Sequence, residues 1–230
     1  MDSLQDVVVL KPWGYEYLCY RNELLAIWLL HIKRGQRTSL HCHPNKHTGF
    51  VVLDGVVIVR FLRGEHRLAG LDKLHIFRAR FHSTEALSES GAYILEIETP
   101  EDKHDLVRLE DAYGRSGLAY EGTQHHVPKP TDAFWIPEPN FQSSIHLALH
   151  GCTIRHIAIN QSSDLLGFAA TEILVVLRGG LRENAGAQIL SPGDVVDGAS
   201  LGRLAVAFSV VPNTSVLALV RANNAYTYDL

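Results

Sequence analysis

Short apolar runs, each about four to eight residues long and stopped by glycine, proline or a polar turn, recur along most of the chain and suit strands rather than long helices. In the first half they are Val7-Val8-Val9-Leu10, residues 25 to 32, two runs within residues 50 to 62 that are parted at Gly55, and residues 93 to 97. In the second half they are residues 154 to 159, 172 to 177, 204 to 211 and 215 to 220, punctuated by Gly179-Gly180 and Ser191-Pro192-Gly193-Asp194. Between Gly114 and Phe141 the sequence turns polar and carries Pro128, Pro130, Pro137 and Pro139, the composition of a linker crossing a surface. The pattern predicts an all-β protein with one unit over residues 1 to 115, a linker over 116 to 140 and a second unit over 141 to 230. At 230 residues and 46% hydrophobic content, the chain can bury two small cores.

Charge and cysteine usage narrow the function. A net charge of −4 with no basic block argues against a nucleic-acid partner. The start, Met1-Asp2-Ser3-Leu4-Gln5-Asp6, lacks the layout of a secretory signal, and no apolar run reaches the ~20 residues of a membrane helix. The expectation is a cytoplasmic protein without a membrane partner. Cys19, Cys42 and Cys152 are widely spaced and read as free thiols.

His41-Cys42-His43 follows Gly35 by six residues and precedes the run Phe50-Val51-Val52-Leu53, which stops at Gly55. Residues two apart on a strand share a face, so inward-pointing His41 and His43 could share one cation while Cys42 faces away. With 13 histidines in the chain the pair alone is weak evidence. His82, at the end of Phe77-Arg78-Ala79-Arg80-Phe81-His82, is the candidate third ligand if the chain folds back on itself. Three neutral imidazoles suit one divalent transition metal (Zn, Fe, Ni, Mn or Cu) and leave positions open for water or substrate.

This order of features resembles the cupin superfamily, whose first motif runs Gly, five residues, His-x-His, three or four residues, Glu, six residues, Gly, and whose second motif supplies one more His. Gly35, His41, His43, Gly55 and His82 match. The family's Glu does not: counting back from Gly55 puts Thr48 there, and counting forward from His43 allows His47. The fourth ligand is therefore His47, or comes from elsewhere, or is missing. A narrower resemblance covers residues 10 to 117. Lys11-Pro12-Trp13-Gly14-Tyr15 opens it, and Leu95-Glu96-Ile97-Glu98, Asp105-Leu106-Val107-Arg108 and Tyr113-Gly114-Arg115 close it. That bracket looks like the cupin domain of type II phosphomannose (mannose-6-phosphate) isomerases. In the second half Glu172, six residues and Gly179 echo the first motif, and Pro192-Gly193-Asp194 is a turn common in cupins, but no His-x-His precedes Glu172.

The resemblance implies a bicupin: two tandem double-stranded β-helix (jelly-roll) barrels, the first metal-binding, the second degenerate and serving to bury the first barrel's open edge or to make a dimer. It implies a metal-dependent sugar or sugar-phosphate isomerase in carbohydrate or cell-surface polysaccharide metabolism, working as a homodimer on a small sugar or sugar phosphate. The alternatives are a non-catalytic sugar-binding or regulatory module, and a metal-dependent dioxygenase. Glu98 stands where the resembled isomerases carry Gln, as a ligand or general base; otherwise it and Glu96 pair with Arg or Lys on a solvated face. Lys46 is the favoured phosphate-holding cation and catalytic partner, with Lys11, Arg60, Arg78, Arg80 and Arg108 as further candidates for an anionic group. Trp13 and Tyr15 offer ring faces to a sugar or belong to the core.

Overall fold

The computed structural model describes residues 4 to 139, 145 to 184 and 186 to 222. Residues 1 to 3 of the N-terminal reading, and Phe141 at the end of the proline-rich stretch, lie outside them. The first half contains strands β1 (Val7–Lys11), β2 (Gly14–Arg21), β3 (Ala26–Ile32), β4 (Leu40–Cys42), β5 (His47–Asp54), β6 (Val56–Phe61), β7 (Glu65–Ala69), β8 (Lys73–Ile76), β9 (His82–Ala86), β10 (Ala92–Thr99), β11 (Val107–Glu110) and β12 (His126–Pro128). The second contains β13 (Ile145–Leu149), β14 (Cys152–Ile159), β15 (Ile173–Arg178), β16 (Leu181–Arg182), β17 (Gln188–Leu190), β18 (Val195–Asp197), helix α1 (Gly198–Ala207), β19 (Ser209–Val210) and β20 (Thr214–Arg221).

Two antiparallel sheets build the first barrel, in the orders β12-β1-β2-β3-β10-β5-β8 and β11-β4-β9-β6-β7. The segments β3-β10-β5-β8 and β4-β9-β6-β7 are the two four-stranded faces of a jelly roll. The second half repeats the first face as β14-β20-β15-β18, whereas its other sheet has three strands, β17-β16-β19. The chain is thus an all-β protein of two double-stranded β-helix barrels in tandem. Among the described residues the second barrel has no counterpart of β4, the strand that carries His41; a 3-10 turn over Ser162–Gly167 occupies that stretch of chain.

Alternation along the central strands feeds two cores at once. Trp28, Leu30, Phe50, Val52 and Ile94 point into the first barrel. Their neighbours Ile27, Leu29, Val51, Leu53, Leu95 and Ile97 point outward and pack against Ile154, Val175, Leu177, Leu217 and Leu219 of the second. The second half therefore covers a sheet face of the first barrel, not the open edge expected from sequence. Truncating Leu95, which is fully buried in this shared layer, to alanine is expected to cost about 2–5 kcal/mol, read as a lower urea midpoint. An unchanged midpoint would contradict the packing.

Two further sequence expectations change. Residues 204 to 211, read as a strand, lie mainly in α1, with only Ser209–Val210 extended. Asp197 caps the helix by accepting a hydrogen bond from the Ser200 N–H, and Leu201, Leu204 and Ala205 pack on one core at helical spacing. The stretch 116 to 140, read as a linker, pairs β12 with β1, buries Ile136 in the shared core and sends Tyr120 and Glu121 into the first barrel. No helix among the described residues is long and apolar enough to cross a membrane. Cys19, Cys42 and Cys152 are buried and unpaired.

Candidate metal centre

Gly55 joins β5 to β6 at φ 84°, and a Cβ there would meet the Gly91 carbonyl at 2.5 Å, so this corner accepts only glycine. The turn sends β6 into the second sheet, where it pairs with β9, and β9 in turn sets His82 directly opposite His41 on β4. His43 follows one residue beyond β4. Ring centroids are 4.5 Å apart for His41 and His82, 5.0 Å for His41 and His43, and 5.6 Å for His43 and His82. One nitrogen from each ring lies within 4.8 Å of the other two.

The three rings share one orientation device. Nδ1 of His41 donates to the Ser39 carbonyl at 2.8 Å, that of His43 to the Asp105 carbonyl at 2.6 Å, and that of His82 to the Arg80 carbonyl at 2.9 Å. Each bond fixes the proton on Nδ1 and leaves Nε2 as the lone-pair nitrogen. Nε2 of His43 and of His82 is buried with no hydrogen-bond partner among the described residues. Burial, then Lys46, holds His43 down at about 2; burial holds His82 at about 4; burial, with His82 and His43 beside it, keeps His41 well below the ordinary imidazole range. Neutral rings with orphaned, converging Nε2 atoms are a donor set that fits a borderline transition metal.

The structure does not bring His47 to this group. Its ring packs on His75 at 5.5 Å and Phe77 at 5.9 Å. The cause is parity: on β5 His47 shares its face with Val51 and Leu53, which point away from the lumen, whereas Phe50 and Val52 point in. Thr48, in register with Glu98, is buried, and its hydroxyl has no partner.

Around the histidines lies a charged lumen. Glu96 and Glu98 share the inward face of β10, and both are buried, not solvated. Glu98 Oε1 accepts from Lys46 Nζ at 2.8 Å and Lys103 Nζ at 3.1 Å, while Oε2 is buried without a partner among the described residues. Lys46 also donates to the Asp102 carbonyl at 2.9 Å, and Lys103 sits 3.8 Å from the Trp28 ring centre. Burial alone would raise Glu98, but Lys103 and Lys46 outweigh it and keep the group ionised. Glu16 follows the same logic and falls to about 2 under Lys103 and Lys11.

Glu96 goes the other way, pushed up to about 7 by burial and then by Glu98. A carboxyl raised in the folded state destabilises the fold once ionised: the cost is absent below the ordinary value of 4.5, grows as pH rises, and is complete above about 7. Glu96→Gln is therefore expected to stabilise the protein by up to ~3 kcal/mol near pH 8 and little near pH 5. Thermal melts at both pH values check this, and an equal shift at both would contradict it.

Trp13, Lys46, Glu98 and Arg108 line the same cavity as the three histidines. Tyr15 does not. It points to the outer face of its sheet, 5.0 Å from His31 and 6.5 Å from Tyr17. Arg60 pairs with Glu85 and Glu65, and Arg78 and Arg80 are exposed, so none of the three reaches the lumen. Lys11 does, along with Glu16, Lys103, Arg115, Tyr120 and Glu121, which sequence reasoning did not single out as a site. Glu16 was accessible to it, because it shares its face of β2 with the core residue Leu18.

Fold and site together define a two-barrel β protein whose first barrel encloses a three-histidine cluster in a charged lumen. No protein-family model matches the chain, and no curated protein matches it. Solved structures similar to it include KdgF from Halomonas sp., at 18% identity over 44% of this chain and 94% of that one, with TM-score 0.39. The capsular polysaccharide assembling protein CapF from Staphylococcus aureus is 19% identical over 45% of this chain and 34% of its own, with TM-score 0.40. A putative sugar phosphate isomerase from Acidithiobacillus ferrooxidans is 20% identical over 40% of this chain and 64% of its own, with TM-score 0.35. At this level of likeness the architecture rests on the sheet order itself.

Proposed function

We propose that the first barrel holds one divalent transition metal on Nε2 of His41, His43 and His82 and acts as a sugar or sugar-phosphate isomerase. The observation that carries the reading is the set of three Nδ1–carbonyl bonds, which aims three unprotonated nitrogens at one point. When bound, the metal would supply Lewis acidity toward a sugar carbonyl. The chain's own groups would handle the proton. Glu98, held ionised by Lys46 and Lys103, has Oε2 free to accept a proton from the carbon next to that carbonyl. Glu96, pushed up by burial and then by Glu98, holds its proton more tightly than Glu98 and suits return of a proton to the neighbouring carbon; two carboxyls with values pushed apart are what acid–base work requires. Trp13, packed in the barrel core, lines the same cavity and would offer its ring face to a sugar admitted there.

The test is exchange of the C2 hydrogen of aldose phosphates for solvent deuterium, followed by NMR on zinc-, manganese- or iron-loaded protein. Isomerase chemistry predicts exchange together with ketose formation. Binding without exchange under every metal would sink the catalytic reading and leave a sugar-binding module. One observation favours that second reading: Lys46 and Lys103 already neutralise Glu98, which lowers its basicity.

A further inference from the structure

The stretch following β11 enters the first barrel and fills it. Glu121 accepts from Lys11, from Arg115 Nη1 at 2.5 Å and from Arg108 Nη2 at 3.2 Å, and its side chain is only 5% exposed. Arg108 also donates to the Leu118 carbonyl at 2.6 Å and the Ala119 carbonyl at 2.5 Å. The Tyr120 hydroxyl donates to Glu16, and its ring lies 3.9 Å from Lys11 Nζ and 5.4 Å from Lys103 Nζ. The space left beside the histidines is about 60 Å³, room for a few waters and not for a sugar. Anything of sugar size that reaches the histidines must first displace this pair.

The segment is built to leave. Residues 116 to 121 are in neither helix nor strand, so side chains rather than a β ladder hold them in place. Gly117 sits at φ 75° with open space around it, and Gly122 bounds the other side. Withdrawal of Glu121 would leave Lys11, Arg108 and Arg115 facing only Glu16 and Asp111, a buried excess of positive charge. A neutral ligand could not repair that imbalance, whereas an anionic one could.

We propose that Tyr120 and Glu121 form a strap that occupies the ligand's place, and that the ligand is a small anionic carbohydrate, a sugar acid or sugar phosphate. Its carboxylate or phosphate takes the seat of Glu121 on Lys11, Arg108 and Arg115, and its hydroxyl-bearing ring takes the seat of Tyr120 beside Trp13 and Glu16. This rests on the proposed function only in using the same lumen, and it requires neither bound metal nor turnover.

The test is calorimetric titration of metal-free wild type and Glu121→Gln with D-glucuronate, glucose 6-phosphate and neutral D-glucose. Removing the competing charge is expected to tighten at least one anionic probe by about tenfold or more and to leave glucose unchanged. Tightening of glucuronate alone assigns the seat to carboxylates, and of glucose 6-phosphate alone to phosphates. Equal affinity in both proteins, or no binding of either anion, overturns the proposal. A second measurement leaves Glu121 intact. Leu118 is 59% exposed and the native cysteines are buried, so a spin label on Leu118→Cys reports the strap selectively. The anionic probe that binds should mobilise the label, and a label equally immobile with that probe bound contradicts displacement. Isomerisation that fails while the strap still releases sinks the proposed function alone; isomerisation with a fixed strap sinks this inference alone.

Discussion

Exchanging His82 for alanine is expected to lower affinity for zinc by roughly a thousandfold, because the proposed site would lose its one ligand from β9 and keep only His41 and His43. Competition against a chromogenic chelator measures it, with a thermal melt to show that the barrel persists. His47→Ala is the control. It stands at the motif spacing that offered a fourth ligand, yet its ring packs on His75 and Phe77, so its loss should leave loading unchanged. Wild-type affinity in His82→Ala, or a large loss in His47→Ala, would mean that the metal sits elsewhere.

Glu98→Gln is expected to reduce turnover by about 10²–10⁴-fold with metal content unchanged, since the glutamine keeps the shape but cannot accept the proton. Two ammonium groups bind Oε1, so in the proposed mechanism Oε2 is the atom that would take the proton. The substitution leaves Lys46 and Lys103 without their shared counter-charge, and part of the effect will appear as lost stability. C2 deuterium exchange, normalised to folded protein, separates the two. Exchange at the wild-type rate would remove Glu98 from the mechanism.

The sequence carried the fold well because strand periodicity and glycine corners are local. Gly55 and the His41–His43 pair are legible in spacing, and the order Leu95-Glu96-Ile97-Glu98 by itself puts the two carboxyls on one face of a strand and the two apolar residues on the other. It was weaker wherever a side chain's environment comes from distant chain. His47 sits in a polar stretch where parity with Val51 and Leu53 was the deciding signal, and motif counting overrode it. Of the two readings of Tyr15 the structure takes the core one: on the outward face it shares with Tyr17, it packs against the shared core. Tyr120 and Glu121 left no local trace at all, because a polar, proline-rich stretch reads alike whether it crosses a surface or plugs a barrel. The helix α1 was hidden by an apolar run that satisfies both periods until the Asp197 cap is considered.

The most direct test of the central claim is X-ray absorption on the zinc-reconstituted protein. One equivalent of zinc is expected, with three imidazole nitrogens at about 2.0–2.1 Å and the remaining position filled by a light oxygen or nitrogen atom. A shell containing sulfur, a shell without imidazole scattering, or no retained zinc would contradict it.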